Sequence, residues 1–222
     1  MLINRLSCRF LALALKGCLW VSFVSATLDI NRMVNLAHER FGEQATETVN
    51  DWQLMLITAE AESAGTQLQM VNDFFNSRVR WTTDQAIYQT EDYWATPLET
   101  LGRLAGDCED FSIAKFASLR ELGIPAEQLR LIYVKAISGG LAQAHMVLAW
   151  YETPRSVPLI LDNINQVILP ANQRRDLQPV FSFNSEDLWL GATGNRVSAS
   201  PQARMSRWRQ VLDQMRKEGL EG

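Results

Sequence analysis

The stretch GDCED, Gly106 to Asp110, sets one cysteine among three carboxylates. A nucleophilic cysteine works as its thiolate, and nearby negative charge makes the thiolate harder to form. Two further residues can complete a reactive set: His145, one of only two histidines, and Asp162. A histidine within hydrogen-bond reach takes the thiol proton, and a carboxylate behind it holds the imidazole in one tautomer and orientation. Cys108 falls at a predicted helix start, where the positive end of the helix dipole lowers a thiol pKa. Each residue also has a plain structural reading. A lone cysteine is often a small buried hydrophobe, a lone histidine structural, and an aspartate before Asn163 a turn residue bonding its own backbone. The scarcity of cysteine and histidine is what draws the three together.

The carboxylates have two readings of their own. Acids are favoured in the first turn of a helix, and Asp107 suits the N-cap. Yet Asp107, Glu109 and Asp110 are more acid than capping needs, and like charges repel. Calcium binds through about six to eight oxygens, mostly carboxylate and carbonyl. A cation here would cancel the repulsion and secure the helix start that carries Cys108. The EF-hand pattern is absent, the cysteine and histidine spacings match no zinc site, and no glycine-rich phosphate loop occurs.

The elements that must position these residues follow from periodicity. Residues 31–80 read as helical, with Met33, Ala37 and Phe41, then Val49, Trp52 and Leu56, on inward stripes. Gly42 and Gly65 are expected stops or joints, and a helix over residues 69–79 turns Met70, Phe74 and Phe75 inward. Thr96-Pro97 opens a short helix through Leu104. The Cys108–Leu122 helix closes at Gly123 and Pro125. The period then changes to two: strands are expected over 129–134, 145–151 and 159–162, with Ser138-Gly139-Gly140 as a turn. Short connections imply antiparallel pairing, which can bring His145 and Asp162 onto one sheet face opposite the Cys-bearing helix. Met205, Trp208, Leu212 and Met215 mark a docked amphipathic helix at the C-terminal end.

The first 26 residues read differently. Arg5 and Arg9 precede the apolar runs FLALAL and LWVSFV, and Val24-Ser25-Ala26 ends them with small residues, the pattern of a secretory signal peptide. Lys16 interrupts the apolar run, so an uncleaved N-terminal membrane anchor is the alternative. Residues 27–222 then form a single domain. Cleavage removes three of 21 basic residues and none of the 25 acidic ones, so the net charge moves from −4 to −7. Such a balance disfavours a nucleic-acid partner. Cys8 and Cys18 leave with the leader, and Cys108 remains as a single thiol with no internal partner.

GDCEDF, Lys115, the run from Leu119 to Pro125, HMVL from His145, and Leu161-Asp162-Asn163 together resemble the bacterial transglutaminase-like cysteine peptidases. More narrowly they resemble the LapG-type periplasmic proteases. NDFFN (72–76) and DYWATPLE (92–99) extend the likeness across most of the mature chain. The resemblance implies an α+β fold with a papain-like, transglutaminase-like core, the Cys-bearing helix packed on a small antiparallel sheet. It implies Cys108 as nucleophile, His145 as base and then acid, Asp162 as orienting carboxylate, and Ca2+ held by Asp107 and Glu109, with Asp110 less well matched. The implied substrate is the N-terminal region of a large cell-surface adhesin, cut beside an alanine pair in the periplasm. Cleavage releases the adhesin and disperses the biofilm, and an inner-membrane cyclic di-GMP receptor holds the enzyme inactive. The oxyanion hole would use the Cys108 N–H and a second donor, for which Trp94 is a candidate that also reads as a packing residue. Two alternatives stay open on the residues alone: acyl transfer to an amine through the same thioester, and a non-catalytic binding module.

Overall fold

The structure, a computed structural model, describes residues 28–192, 196–198 and 205–220, so the expected leader lies outside it. The first helix, α1 (Ile30–Phe41), is capped by Asp29, whose carboxylate accepts the Arg32 N–H at 3.0 Å. Gly42, at φ 87°, turns the chain directly into α2 (Glu43–Ala59) and is the expected joint. Gly65 is not a joint: it lies in the first turn of α3 (Ala64–Arg78). Ser63 caps that helix by accepting the Thr66 N–H. A good cap outweighs the modest cost of one helical glycine. The helix therefore starts ahead of Gln69 and buries Leu68, Val71, Phe74 and Phe75, while Met70 is only half-buried.

Two short parallel strands, β1 (Arg80–Trp81) and β2 (Ala105–Gly106), bracket α4 (Asp84–Tyr88) and α5 (Pro97–Arg103). The start of α5 is where Thr96-Pro97 predicts it. Thr96 Oγ1 accepts the Glu99 N–H, and the Glu99 carboxylate accepts the Thr96 N–H. Arg40 donates to both Glu99 and Glu218, joining α1 and α5 to the C-terminal helix.

Helix α6 (Cys108–Glu121) is buried along most of its length and ends at Gly123, φ 84°. Phe111, Ala114 and Phe116 share one core with Leu131, Met146, Leu148, Leu161 and Phe183 of the sheet. Trp52 of α2 reaches the same helix, its indole N–H donating to Ser118 Oγ at 2.8 Å. The sheet comprises β3 (Leu129–Ser138), β4 (Leu141–Trp150), β5 (Leu159–Leu161), β6 (Leu169–Pro170), β7 (Leu177–Phe183), β8 (Leu188–Leu190) and β9 (Arg196–Ser198). Their order is β6-β5-β4-β3-β7-β8-β9, with every neighbouring pair antiparallel. The fold is thus α+β, with the Cys-bearing helix packed on an antiparallel sheet, as the sequence leads one to expect.

Gly139 and Gly140, at φ 58° and 81°, make the two-residue turn between β3 and β4. That register places Val134 opposite His145, well inside β4. The strand begins ahead of its apolar run because residues 141–144 are exposed and give no period-two signal. Strand β7 escapes sequence reading for a related reason: Gln178, Pro179 and Val180 are exposed, and Pro179 sits where the pairing with β3 slips. The second sheet face, Ile132, Val134, Val147, Ala149 and Ile160, is covered by Ala171 and Leu177. The C-terminal helix, α7 (Ser206–Glu218), docks through Trp208, Val211, Leu212 and Met215 on the predicted spacing. Among the described residues no helix is long and apolar enough to cross a membrane.

The contact between α1 and α5 leaves no room for a methyl group. A Cβ at Gly102 would lie 2.3 Å from Phe41 Cδ2. Gly102→Ala is therefore expected to lower stability by about 1–3 kcal/mol in a urea titration. Adding Phe41→Ala removes the clash, so the double variant should lose less than the sum of the two single losses.

Candidate active site

Gly106 is the last residue of β2, and a Cβ there would lie 2.8 Å from both Cβ and Oδ2 of Asp110. The glycine of GDCED is thus set by how closely Asp110 folds back. Asp110 is fully buried and accepts the Ala95 N–H at 2.8 Å and the Asp107 N–H at 3.2 Å. It holds the segment before α5 against the first turn of α6. Asp107 is the N-cap of α6, and Cys108 is its first residue, half-buried.

The thiol donates to Glu109 Oε2 at 2.8 Å. Burial pushes the Cys108 thiol far up, and the charges of Glu109 and Asp107 push the same way. Burial, then Glu109 and Asp110, raises the Asp107 carboxyl to about 9, and burial also lifts Asp110 well above the carboxylate range. Two more acids join this group, Asp84 from the start of α4 and Asp92 from the loop after it. Asp84 accepts the Tyr93 N–H at 2.6 Å. Its burial outweighs that bond and, with Glu109 and Asp92 adding, raises its carboxyl to about 6.

Carboxylate oxygens of Asp84, Asp107 and Asp110 lie within 4.8 Å of one another, and so do those of Asp84, Asp92 and Glu109. Asp84 Oδ1 and Asp107 Oδ1 are buried with no hydrogen-bond partner. Buried polar atoms are rarely left unpaired, and an all-oxygen cluster suits a hard divalent cation. The residues present fit such an ion. In the sequence, Asp84 is an ordinary turn acid after Thr82-Thr83, and only the folding of residues 84–97 against α6 brings it to the cluster.

Strands β4 and β5 are neighbours, and alternation puts His145 with Val147 and Asp162 with Ile160 on one sheet face. His145 Nε2 and Asp162 Oδ1 are 2.8 Å apart, each residue only 2% exposed. Asp162 is held on every side. Its Oδ1 also accepts the Ile164 N–H at 2.9 Å, and its Oδ2 accepts Arg174 Nη2 at 2.7 Å. Its backbone carbonyl accepts Asn76 Nδ2 at 2.9 Å and Lys115 Nζ at 3.2 Å. Lys115 is buried on α6 and donates as well to Asn72 and Asn76, at 2.9 and 2.8 Å. Burial pushes the Asp162 carboxyl up, but His145, the Ile164 N–H and Arg174 outweigh it and hold the group at about 2. Lys115, Asn72 and Asn76 are visible in the sequence only as members of the recognisable stretches. Arg174 carries no signal there at all.

Cys108 and His145 line one cleft of about 1100 Å3, together with Trp81, Trp94, Tyr133 and Phe181. The structure joins His145 to Asp162 and brings Cys108 and His145 to the same cleft, with the thiol turned to Glu109. With His145 Nε2 engaged, Nδ1 is the nitrogen left for the thiol. The Trp94 indole N–H donates to Asp92 at 3.0 Å, and its ring stacks on Phe183 at 5.7 Å. Its N–H is therefore committed, and its place is in the cleft wall.

The model of the bacterial transglutaminase-like cysteine proteinases matches residues 29–176. Solved structures of LapG from Legionella pneumophila are similar over most of the chain. The EGTA-treated form is 34% identical with a TM-score of 0.74, covering 86% of this chain and all of that one. The calcium-bound form is 36% identical with a TM-score of 0.72, covering 84% of this chain and 98% of that one. No curated protein sequence matches significantly.

The crowding of acids predicts an unusual pH dependence when divalent cations are chelated. Asp84 titrates near 6 in the folded chain, above its ordinary value of 3.8. Between those values the folded state holds a proton that the unfolded state has lost, so stability falls as pH rises through the window. Asp84→Asn should flatten that fall and raise Tm at neutral pH in EDTA. Parallel Tm–pH curves for the two proteins would show that Asp84 carries no such penalty.

Proposed function

Because the chain belongs to the bacterial transglutaminase-like cysteine proteinases, we propose that it is a calcium-dependent periplasmic endopeptidase using Cys108, His145 and Asp162. Its substrate on this reading is the N-terminal region of a large surface adhesin, cut beside an alanine pair. Cutting releases the adhesin and promotes biofilm dispersal, under restraint by an inner-membrane receptor for cyclic di-GMP. The observation that carries the peptidase reading is the buried His145–Asp162 hydrogen bond, its imidazole sharing a cleft with Cys108. The adhesin, the receptor and the compartment, reached through a leader or an N-terminal anchor, follow from the resemblance in sequence.

The chemistry proceeds by covalent catalysis. His145 Nδ1 takes the proton from Cys108 Sγ as the sulfur attacks the scissile carbonyl carbon. The carbonyl oxygen gains negative charge and faces the Cys108 backbone N–H, at the positive end of α6. The tetrahedral species collapses by expelling the amine, which receives its proton from His145, and a thioester remains. Water then attacks the thioester with His145 as base, the sulfur leaves, and a carboxylic acid is released. Asp162 keeps the proton on Nε2 throughout and offsets the imidazolium charge.

Asp84, Asp92, Asp107, Glu109 and Asp110 are the residues that would hold calcium. A bound Ca2+ supplies positive charge where these carboxylates otherwise repel one another and oppose thiolate formation. That LapG from Legionella pneumophila is known in a calcium-bound and an EGTA-treated form supports calcium as the ion. Glu109 accepts from the Cys108 thiol and would also be one of the ligands, so filling the site would bear on the readiness of Cys108.

Incubation with a purified adhesin N-terminal fragment tests the reading. Cys108→Ala should abolish cleavage, and Asp162→Asn should lower kcat by about 10²–10⁴-fold by releasing the tautomer. EGTA should suppress cleavage at least about tenfold, with recovery on adding calcium. Cleavage by the Cys108→Ala variant would sink the mechanism, and indifference to EGTA would sink the calcium assignment. Incorporation of a labelled amine in place of hydrolysis would point to acyl transfer instead.

A further inference from the structure

We infer that Arg174 is a positioning residue for the His145–Asp162 pair, an inference that rests on the catalytic roles proposed for those two residues. Its guanidinium Nη2 lies 2.7 Å from Asp162 Oδ2, the oxygen that His145 does not use. Both side chains are sealed from solvent, Arg174 at 3% and Asp162 at 0% exposed. A carboxylate bonded through one oxygen only can swing about its Cβ–Cγ bond and change the direction it offers the imidazole. With Oδ2 held by Arg174 and Oδ1 bound by His145 and the Ile164 N–H, the carboxylate plane is set at both ends. The proton then stays on Nε2, and Nδ1 keeps its lone pair for the Cys108 thiol.

The arginine is itself held for this task. Asp176 accepts from Arg174 Nε at 3.0 Å and from Nη2 at 2.7 Å, which fixes the plane of the guanidinium. The backbone is fixed as well: Arg174 N–H donates to the Ala171 carbonyl, and the Asp176 carbonyl accepts from Ile137 of β3. The segment that carries Arg174 and Asp176 covers the sheet face on which His145 and Asp162 stand. Arg174 touches neither Cys108 nor the cleft, so its influence on the reaction runs through Asp162. A lysine could replace its charge but not its fork, since an ammonium is a point charge without a fixed plane.

The test uses the full chain with 15N-labelled histidine, calcium present, at a pH where the imidazole is neutral. His145 and His38 are the only histidines, and the exposed His38 serves as an internal reference. In the wild type, His145 should show a single Nε2–H tautomer. Arg174→Gln should shift it towards a mixture and slow the alkylation of Cys108 by iodoacetamide about tenfold or more, followed on the Cys108 peptide by mass spectrometry. Arg174→Lys should recover part of that rate. Asp176→Asn, which loosens the arginine without touching Asp162, should give a smaller loss of the same kind. An unchanged tautomer and alkylation rate in Arg174→Gln, with only a lower Tm, would reduce Arg174 to a structural role. Should that variant fail to fold, wild-type behaviour of both Arg174→Lys and Asp176→Asn overturns the proposal. The tautomer reads the Arg174–Asp162–His145 chain directly, whereas failure of Cys108→Ala to abolish cleavage would strike the catalytic reading itself.

Discussion

Burying several carboxylates beside one thiol is the constraint around which the cleft is organised. A desolvated acid costs free energy unless it is protonated, hydrogen-bonded or matched with positive charge. Asp110 meets the requirement with two backbone N–H groups, and to do so it approaches Gly106 too closely for any side chain there. Asp84 meets half of it through the Tyr93 N–H and leaves its second oxygen unpaired, and one oxygen of Asp107 is likewise unpaired. Glu109 meets it by accepting a hydrogen bond from the Cys108 thiol, which opposes the ionisation that a nucleophile needs. One helix start thus carries both the thiol and a carboxylate cluster whose donors fit a hard divalent cation.

The other half of the site obeys the opposite logic. Asp162 is as deeply buried as Asp110, yet it is held ionised because arginine, imidazole and a backbone N–H converge on it. Its main-chain carbonyl is gripped from α6 by Lys115 and from α3 by Asn76. One residue thus receives bonds from two helices, one strand and the segment beyond β6. Two buried acid environments, one over-supplied with negative charge and one fully compensated, flank the same cleft.

The sequence exposed the chemistry-bearing residues more readily than their supports. Cys108 and His145 stand out because few residues of their types exist, and local periodicity puts them, with Asp162, at a helix start and on neighbouring strands. Asp84, Asp92 and Arg174 give no local sign, since their roles arise from contacts between segments distant in the chain. The same distinction runs through the fold. Helices α1, α2, α6 and α7 bury one stripe or nearly everything, and their apolar spacing shows it. Strand β7 and the first part of β4 expose much of their length, so alternation is lost. Gly65 misleads because a glycine tolerated within a helix looks the same in sequence as one that ends it.

One small contact near the edge of the domain has a topological consequence. The Asp29 N–H donates to the Gly219 carbonyl at 2.8 Å, and a Cβ at Gly219 would lie 2.7 Å from the Asp29 carbonyl oxygen. The beginning of α1 and the end of α7 are therefore stapled backbone to backbone. Folded units whose first and last helices meet in this way tolerate being rejoined there and reopened at an exposed turn elsewhere. A circular permutant with its new ends at the Gly139-Gly140 hairpin would keep α6, β5 and the Arg174 segment each unbroken.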